Sequence, residues 1–170
     1  MEKFEKETAV SDFVSNFVDV SKFYGLCKSC PNCGNVWSCP PYGFEPLEIW
    51  NKFSKLRMIV YKIEPLSGCE ENLALLEKTK HEMLLYTYAL EKKNPGSTAL
   101  SAGKCSLCSE CSRPKNEPCR MPDKMRYSIE SLGGDVEKAL RELFGIEILW
   151  EVDGKTPEYY TLCGGLLLKN

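Results

Sequence analysis

Between Glu70 and Glu91, Leu73, Leu76, Met83 and Leu90 fall on one side of an α-helix, and Asn94-Pro95-Gly96 closes the run. A second stripe follows Asp135, which serves as N-cap: Val136, Ala139, Leu140, Leu143 and Phe144 share a face, and Gly145 ends it. Near the start, Phe13, Val14, Phe17 and Val18 recur at helical spacing. Asp19 can cap a second short turn in which Val20, Phe23, Tyr24 and Cys27 share a face, so that a helix delivers the first cysteine. A short helix is predicted over Leu47 to Phe53. Leu56 to Ile63, rich in β-branched and large apolar residues, predicts a buried strand ended by Pro65, and Thr98 to Ala102 a short one. Ile146 to Val152, a turn at Asp153-Gly154 and Tyr159 to Leu168 predict a β-hairpin, with Gly164-Gly165 marking a bulge or a close backbone approach. The expectation is an α+β fold: a mostly antiparallel sheet of about four strands, helices on one face and two cysteine-rich metal-binding loops gathered at one end.

A chain of 170 residues with 43% hydrophobic content fits one domain, 1–170, with a core of its own. The formal charge of -2 supplies no overall basic field to draw the chain to nucleic acid or to an anionic membrane. The first thirty residues, carrying Glu2, Glu5, Glu7, Asp12 and Asp19, resemble neither a secretory leader nor a twin-arginine signal. No apolar stretch approaches the ~20 residues that cross a bilayer. A soluble, cytoplasmic protein is expected.

Ten cysteines change the picture. In a reducing cytosol thiols stay available as thiolate ligands, so this content points to metal rather than to disulfides. Cys27, Cys30, Cys33 and Cys39 form one group and Cys105, Cys108, Cys111 and Cys119 another, with Cys69 and Cys163 outside both. In each group three cysteines at two-residue intervals can sit on one tight loop, and a fourth follows further along. That is the ligand supply of a 4Fe-4S cluster, so one or two such clusters are expected. In two-cluster ferredoxins the fourth cysteine serves the other cluster, which leaves the pairing of Cys39 and Cys119 open. Zinc is the alternative, because Cys30-Pro-Asn-Cys33-Gly34 reads like a zinc knuckle. A zinc ribbon, however, brings its second pair within ~15 to 20 residues, whereas here the next such pair begins at Cys105.

Other candidates are weaker. Lys104, Arg113, Lys115, Arg120, Lys124 and Arg126 surround the second group, either offsetting cluster charge or forming a docking face for an anionic substrate or redox partner. His81, the only histidine, lies on the long helix, which argues against histidine-based acid–base chemistry. Trp37 beside Cys39 is expected to shield a cluster from water, Tyr159 and Tyr160 to pack, and Cys69 and Cys163 to be buried as small hydrophobes, with either able to replace a weak member of the first site. Gly133-Gly134 fits no phosphate-binding loop.

Trp37-Ser-Cys-Pro-Pro-Tyr42, Ala102-Gly-Lys-Cys-Ser-Leu-Cys108, Pro118-Cys-Arg-Met-Pro122 and Tyr127-Ser-Ile-Glu-Ser-Leu-Gly133 resemble an uncharacterised family of predicted metal-binding proteins found widely in anaerobic bacteria and archaea. The resemblance covers nearly the whole chain. It implies cluster binding through Cys27, Cys30 and Cys39 and through Cys105, Cys108, Cys111 and Cys119, and it implies no reaction. Relatives often carry an aromatic residue where this chain has Cys33. Were Cys33 not a ligand, the first cluster would borrow a fourth or leave one iron open to substrate. Three functions are therefore in view: an iron-sulfur electron carrier, an iron-sulfur enzyme of sulfur-transfer or reductive type, and a zinc-stabilised interaction module.

Overall fold

The computed structural model describes residues 1–169, apart from the side chain of Cys69, so the expectation for Cys69 lies outside the described residues. Its centre is a four-stranded sheet of order β1-β2-β4-β3, in which every pairing is antiparallel. The chain runs β1 (Glu2–Ala9), α1 (Val10–Phe17), α2 (Val20–Cys27), α3 (Pro46–Trp50), β2 (Lys55–Ile63), α4 (Cys69–Lys93), β3 (Thr98–Leu100), α5 (Val136–Phe144) and β4 (Tyr160–Leu168). The α+β class and the strand number are those expected.

Side chains alternate across a strand, and both faces of β2 are apolar. Leu56, Met58 and Val60 join Phe13, Phe17, Trp50, Leu132, Leu140, Cys163 and Leu167 in the larger core. Ile59, Tyr61 and Ile63 meet Met83 and Ala102 on the other side, with Leu76, Tyr86 and Leu90 packed against them. Helices therefore cover both faces: α1, α3 and α5 lie on one and α4 on the other, which corrects the expectation of helices on one face. A strand buried on both sides reads as a continuous apolar run, and that is the form of Met58 to Tyr61. Of the α4 stripe, Leu73 is not part of the packing and stands 62% exposed.

Two expected features of the C-terminal region differ. Residues 146–151 form no strand, although the turn is present, with a bridge between Val152 and Lys155 and left-handed backbone at Asp153 and Gly154. Ile146 is buried and Ile148 packs on the core without a ladder partner, while Tyr159 Oη donates to Glu147 O at 2.9 Å. Gly164-Gly165 is no bulge, for the β2–β4 register is unbroken from Lys55↔Leu168 to Ile63↔Tyr160. It is a close approach: a Cβ on Gly164 would lie 2.8 Å from Leu100 O and 3.1 Å from Met83 Sδ.

The strand absent from the sequence reading is β1. It carries Glu2, Lys3, Glu5, Lys6 and Glu7, pairs with β2 along its whole length, and sits at the sheet edge, where charge deters pairing with other chains. Arg57 Nε bonds Glu7 Oε1 at 2.9 Å across that pair.

Candidate metal centre

The first cysteine leaves a helix whose start is anchored twice. The Asp19 side chain accepts from Lys22 N at 2.9 Å, and Asp19 N donates to Gly133 O at 2.9 Å. Gly133 has φ +86°, and a Cβ there would stand 2.8 Å from Val20 Cα, so this turn seats α2 only because it carries no side chain. Beyond Cys27 the backbone winds through tight turns. Cys30 N donates to Cys27 O at 2.9 Å, Cys33 N to Cys30 O at 3.1 Å, and Cys39 N to Val36 O at 3.0 Å. Two-residue spacing thus becomes a stack of turns that keeps Cys27, Cys30 and Cys33 close along a tightly wound backbone.

The second loop is fixed where it begins and where it returns. Ser101 N donates to Tyr127 O at 2.8 Å and Ser101 Oγ to Gly103 O at 2.9 Å, just before Cys105. On the return, Arg126 pairs with Glu91 of α4 at 2.7 Å, and Glu91 Oε2 also accepts from Ala99 N at 3.1 Å.

Each set of four gathers with its own members. Burial first, and then the neighbouring Cys33, Cys30 and Cys39 thiolates, push the Cys27 thiol up. Cys39 is raised by burial and by Cys30 and Cys33, against a hydrogen bond from Ser38 and the charge of Arg113. Cys105 is raised by burial and then by Cys119, Cys108 and Cys111, with a backbone hydrogen bond at Leu107 opposing. In space Cys39 therefore keeps company with Cys27, Cys30 and Cys33, and Cys119 with Cys105, Cys108 and Cys111. All four members of the second set line one hollow of about 30 Å³, walled by Val36, Trp37, Leu107, Met121 and Met125. Among the first set Cys30 is exposed and the other three are half-buried. The nine cysteines with described side chains are all free thiols, and Cys163 is buried at 6% exposure, as expected of a small hydrophobe.

Among the described residues no group of three or more His, Cys, Asp or Glu side chains is arranged to grip a metal ion directly. Zinc or an iron-sulfur cluster would take its ligands from these two cysteine sets. The donor set suits either group chemically: soft thiolates select zinc or iron-sulfur clusters.

The two loops clasp each other. Trp37, from the first, donates through Nε1 to Glu117 O at 3.1 Å and to Ser112 Oγ at 3.3 Å, and its ring faces the second hollow rather than the first. Arg113, from the second, donates to Val36 O at 2.8 Å and to Cys39 O and Pro41 O, with its guanidinium 5.0 Å from the Trp37 ring centre. Ser38, 1% exposed, accepts from Cys105 N at 2.9 Å and lies beside Cys39 Sγ at 4.0 Å. Asn32 Nδ2 donates to Cys30 Sγ at 3.5 Å. Below the first loop, Tyr42 stacks on Phe44 at 4.8 Å and meets Tyr127 edge-on at 5.2 Å.

The basic residues divide. Arg113 and Arg126 are spent on loop structure, while Lys104, Lys115, Arg120 and Lys124 are exposed around the second group. His81 is absent from the cysteine hollow and instead lines a surface hollow beside the second loop, with Tyr88, Glu91, Arg126 and Leu107. No helix among the described residues is long and apolar enough to cross a membrane. Sequence reasoning missed Ser38 and the clasping role of Arg113, and only their nearness to cysteines in the chain could have singled them out.

No curated protein and no solved structure matches the chain. One family profile does, over residues 15–168, a span that holds all eight clustered cysteines. The chain accordingly belongs to the family described as "Predicted metal-binding protein (DUF2284)".

Proposed function

We propose that the two cysteine sets hold two 4Fe-4S clusters, Cys27, Cys30, Cys33 and Cys39 one and Cys105, Cys108, Cys111 and Cys119 the other, and that the protein passes single electrons to a redox partner. The observation that carries this reading is the gathering of two complete four-thiol sets, each with its own members, on loops that are bonded to one another. A bound cluster supplies one-electron chemistry, with a potential tuned by hydrogen bonds to sulfur and by exclusion of water. The protein's part is to hold four thiolates per cluster, to donate hydrogen bonds to sulfur from Asn32 and Ser38, and to wall the second site with Trp37, Leu107, Met121 and Met125. Exposed lysines around the second set suit an acidic partner surface.

Anaerobic purification followed by metal and sulfide analysis tests the proposal. About eight irons and eight acid-labile sulfides per chain are expected, with a paramagnetic signal on dithionite reduction. A colourless protein with stoichiometric zinc and no sulfide would instead establish the zinc-stabilised module.

The exposure of Cys30 favours a second reading, in which the first cluster meets a small-molecule substrate at an open iron. A Cys33→Ala variant that retains a full first cluster would support that enzyme, whereas loss of about half the iron supports closure by four thiolates.

A further inference from the structure

A hollow of about 440 Å³ opens between α4, α5, β4 and the extended segment 146–151. Its walls are mainly apolar, and its volume is within the range of small-molecule sites. Two polar atoms of residues on its lining are cut off from solvent and have no hydrogen-bond partner, Glu130 Oε2 and Thr161 Oγ1. Buried polar groups in folded proteins are nearly always paired, so two orphans on one cavity mark a place where a partner belongs.

The charge of the walls says what kind. Glu130 and Glu151 are acidic, and no lysine, arginine or histidine lines the hollow. Tyr160 Oη already donates to Glu151 Oε1 at 2.7 Å, and Asn72 is engaged by both backbone groups of Leu66. Glu130 makes no ion pair; Lys80 acts on it only from further off and has its own neighbour in Glu77 at 4.0 Å. A buried carboxylate without a cation is costly, and water in an apolar cavity does not neutralise it. Trp150 stands 70% exposed on the lining, its ring available to a cation.

We propose that this hollow binds a small organic amine, with its ammonium group against Glu130 Oε2 and Thr161 Oγ1 and its apolar body along Leu76, Leu140, Ile148 and Leu162. None of the eight clustered cysteines lines the hollow, although Glu130 lies near enough to Cys27 to add to the rise that burial gives that thiol, and the proposal does not depend on which metal the cysteines carry.

Calorimetric titration of the full-length, metal-loaded protein tests the assignment, with phenethylamine and n-hexylamine as probes and 2-phenylethanol and 3-phenylpropanoate as neutral and anionic comparisons. Saturable one-to-one binding of an amine is expected, at least tenfold tighter than the alcohol and with no binding of the carboxylate. Glu130→Gln keeps the side-chain shape and removes only the charge, and should weaken amine binding at least tenfold with the metal content unchanged. Thr161→Val should weaken it less. No saturable binding of either amine, equal binding of amine and alcohol, or full amine affinity in a folded Glu130→Gln protein would each overturn the proposal. Were Glu130→Gln to fail to fold, the comparison of amine with alcohol on the native chain decides alone.

Discussion

Arg113 joins backbone carbonyls of one cysteine loop from a position in the other, and its worth follows from where those carbonyls lie. Hydrogen bonds from a charged donor contribute about 1.5 to 3 kcal/mol where solvent is restricted, and this guanidinium, half-buried on Trp37, belongs at the lower end. Arg113→Met is expected to lower stability by about 2 kcal/mol in urea denaturation and to speed metal loss from both cysteine sets. A drop confined to the second set would refute the clasp. Glu130 makes a different prediction. Burial holds its carboxyl above the ordinary value, opposed by Ser128, its own backbone amide and distant Lys80. With the hollow empty, the folded chain holds this proton above the pH at which the unfolded chain releases it. An ammonium bound at Oε2 would displace it, and without one stability falls as pH rises from about 4.3 through the folded-state value. Glu130→Gln removes this loss, so its thermal midpoint should exceed that of the native protein at pH 7, and the gap should narrow toward pH 4. At this scale the grouping of the cysteines was legible because their spacing is a local property. Ser38, Arg113 and Glu130 were not, because their roles come from residues 67 to 77 positions away or from a cavity formed by four separate segments.

Among the elements, those with strong periodicity were legible: α4, α5, the α1–α2 pair capped by Asp19, and the apolar strands β2 and β4. β1 was hidden because an edge strand made of Glu and Lys takes its order from pairing with β2, and no alternation along its own sequence announces it. Segment 146–152 misled for the opposite reason. Its apolar residues, Ile146 and Ile148, reach the core from an extended segment with no ladder partner, so apolar content alone did not make a strand. Gly164 shows the sheet's tolerance most sharply, since α4 approaches β4 through Met83 with no room for a methyl group. Gly164→Ala should cost about 1 to 3 kcal/mol, measured by denaturant midpoint, because overpacking against a backbone oxygen cannot be relieved by a rotamer change. Gly133→Ala combines a Cβ clash against Val20 with a left-handed φ, and should tilt the start of α2. Its expected readout is selective metal loss from the set that begins at Cys27, with the second set retained.

For the whole molecule, the doubled cysteine pattern predicted two sets of four but left open which fourth cysteine goes with which run. Cys39 and Cys119 each had two possible homes, and only the folded loops place each beside its own run of three. Cys39→Ser and Cys119→Ser should thus each release about half of the bound metal, and the double variant nearly all of it, by elemental analysis of anaerobically prepared protein. An exchange of fourth ligands would instead make either single variant deplete both sites.

The reciprocal bonds of Trp37, Ser38 and Arg113 also bear on how the protein fills. On the two-cluster reading the clasp ties the shape of each cysteine loop to the other's, so whichever pocket is loaded first relieves part of the ordering entropy its sibling would otherwise bear. Linkage makes that help mutual. During maturation or chelation, half-filled molecules should consequently be rarer than independent filling would produce.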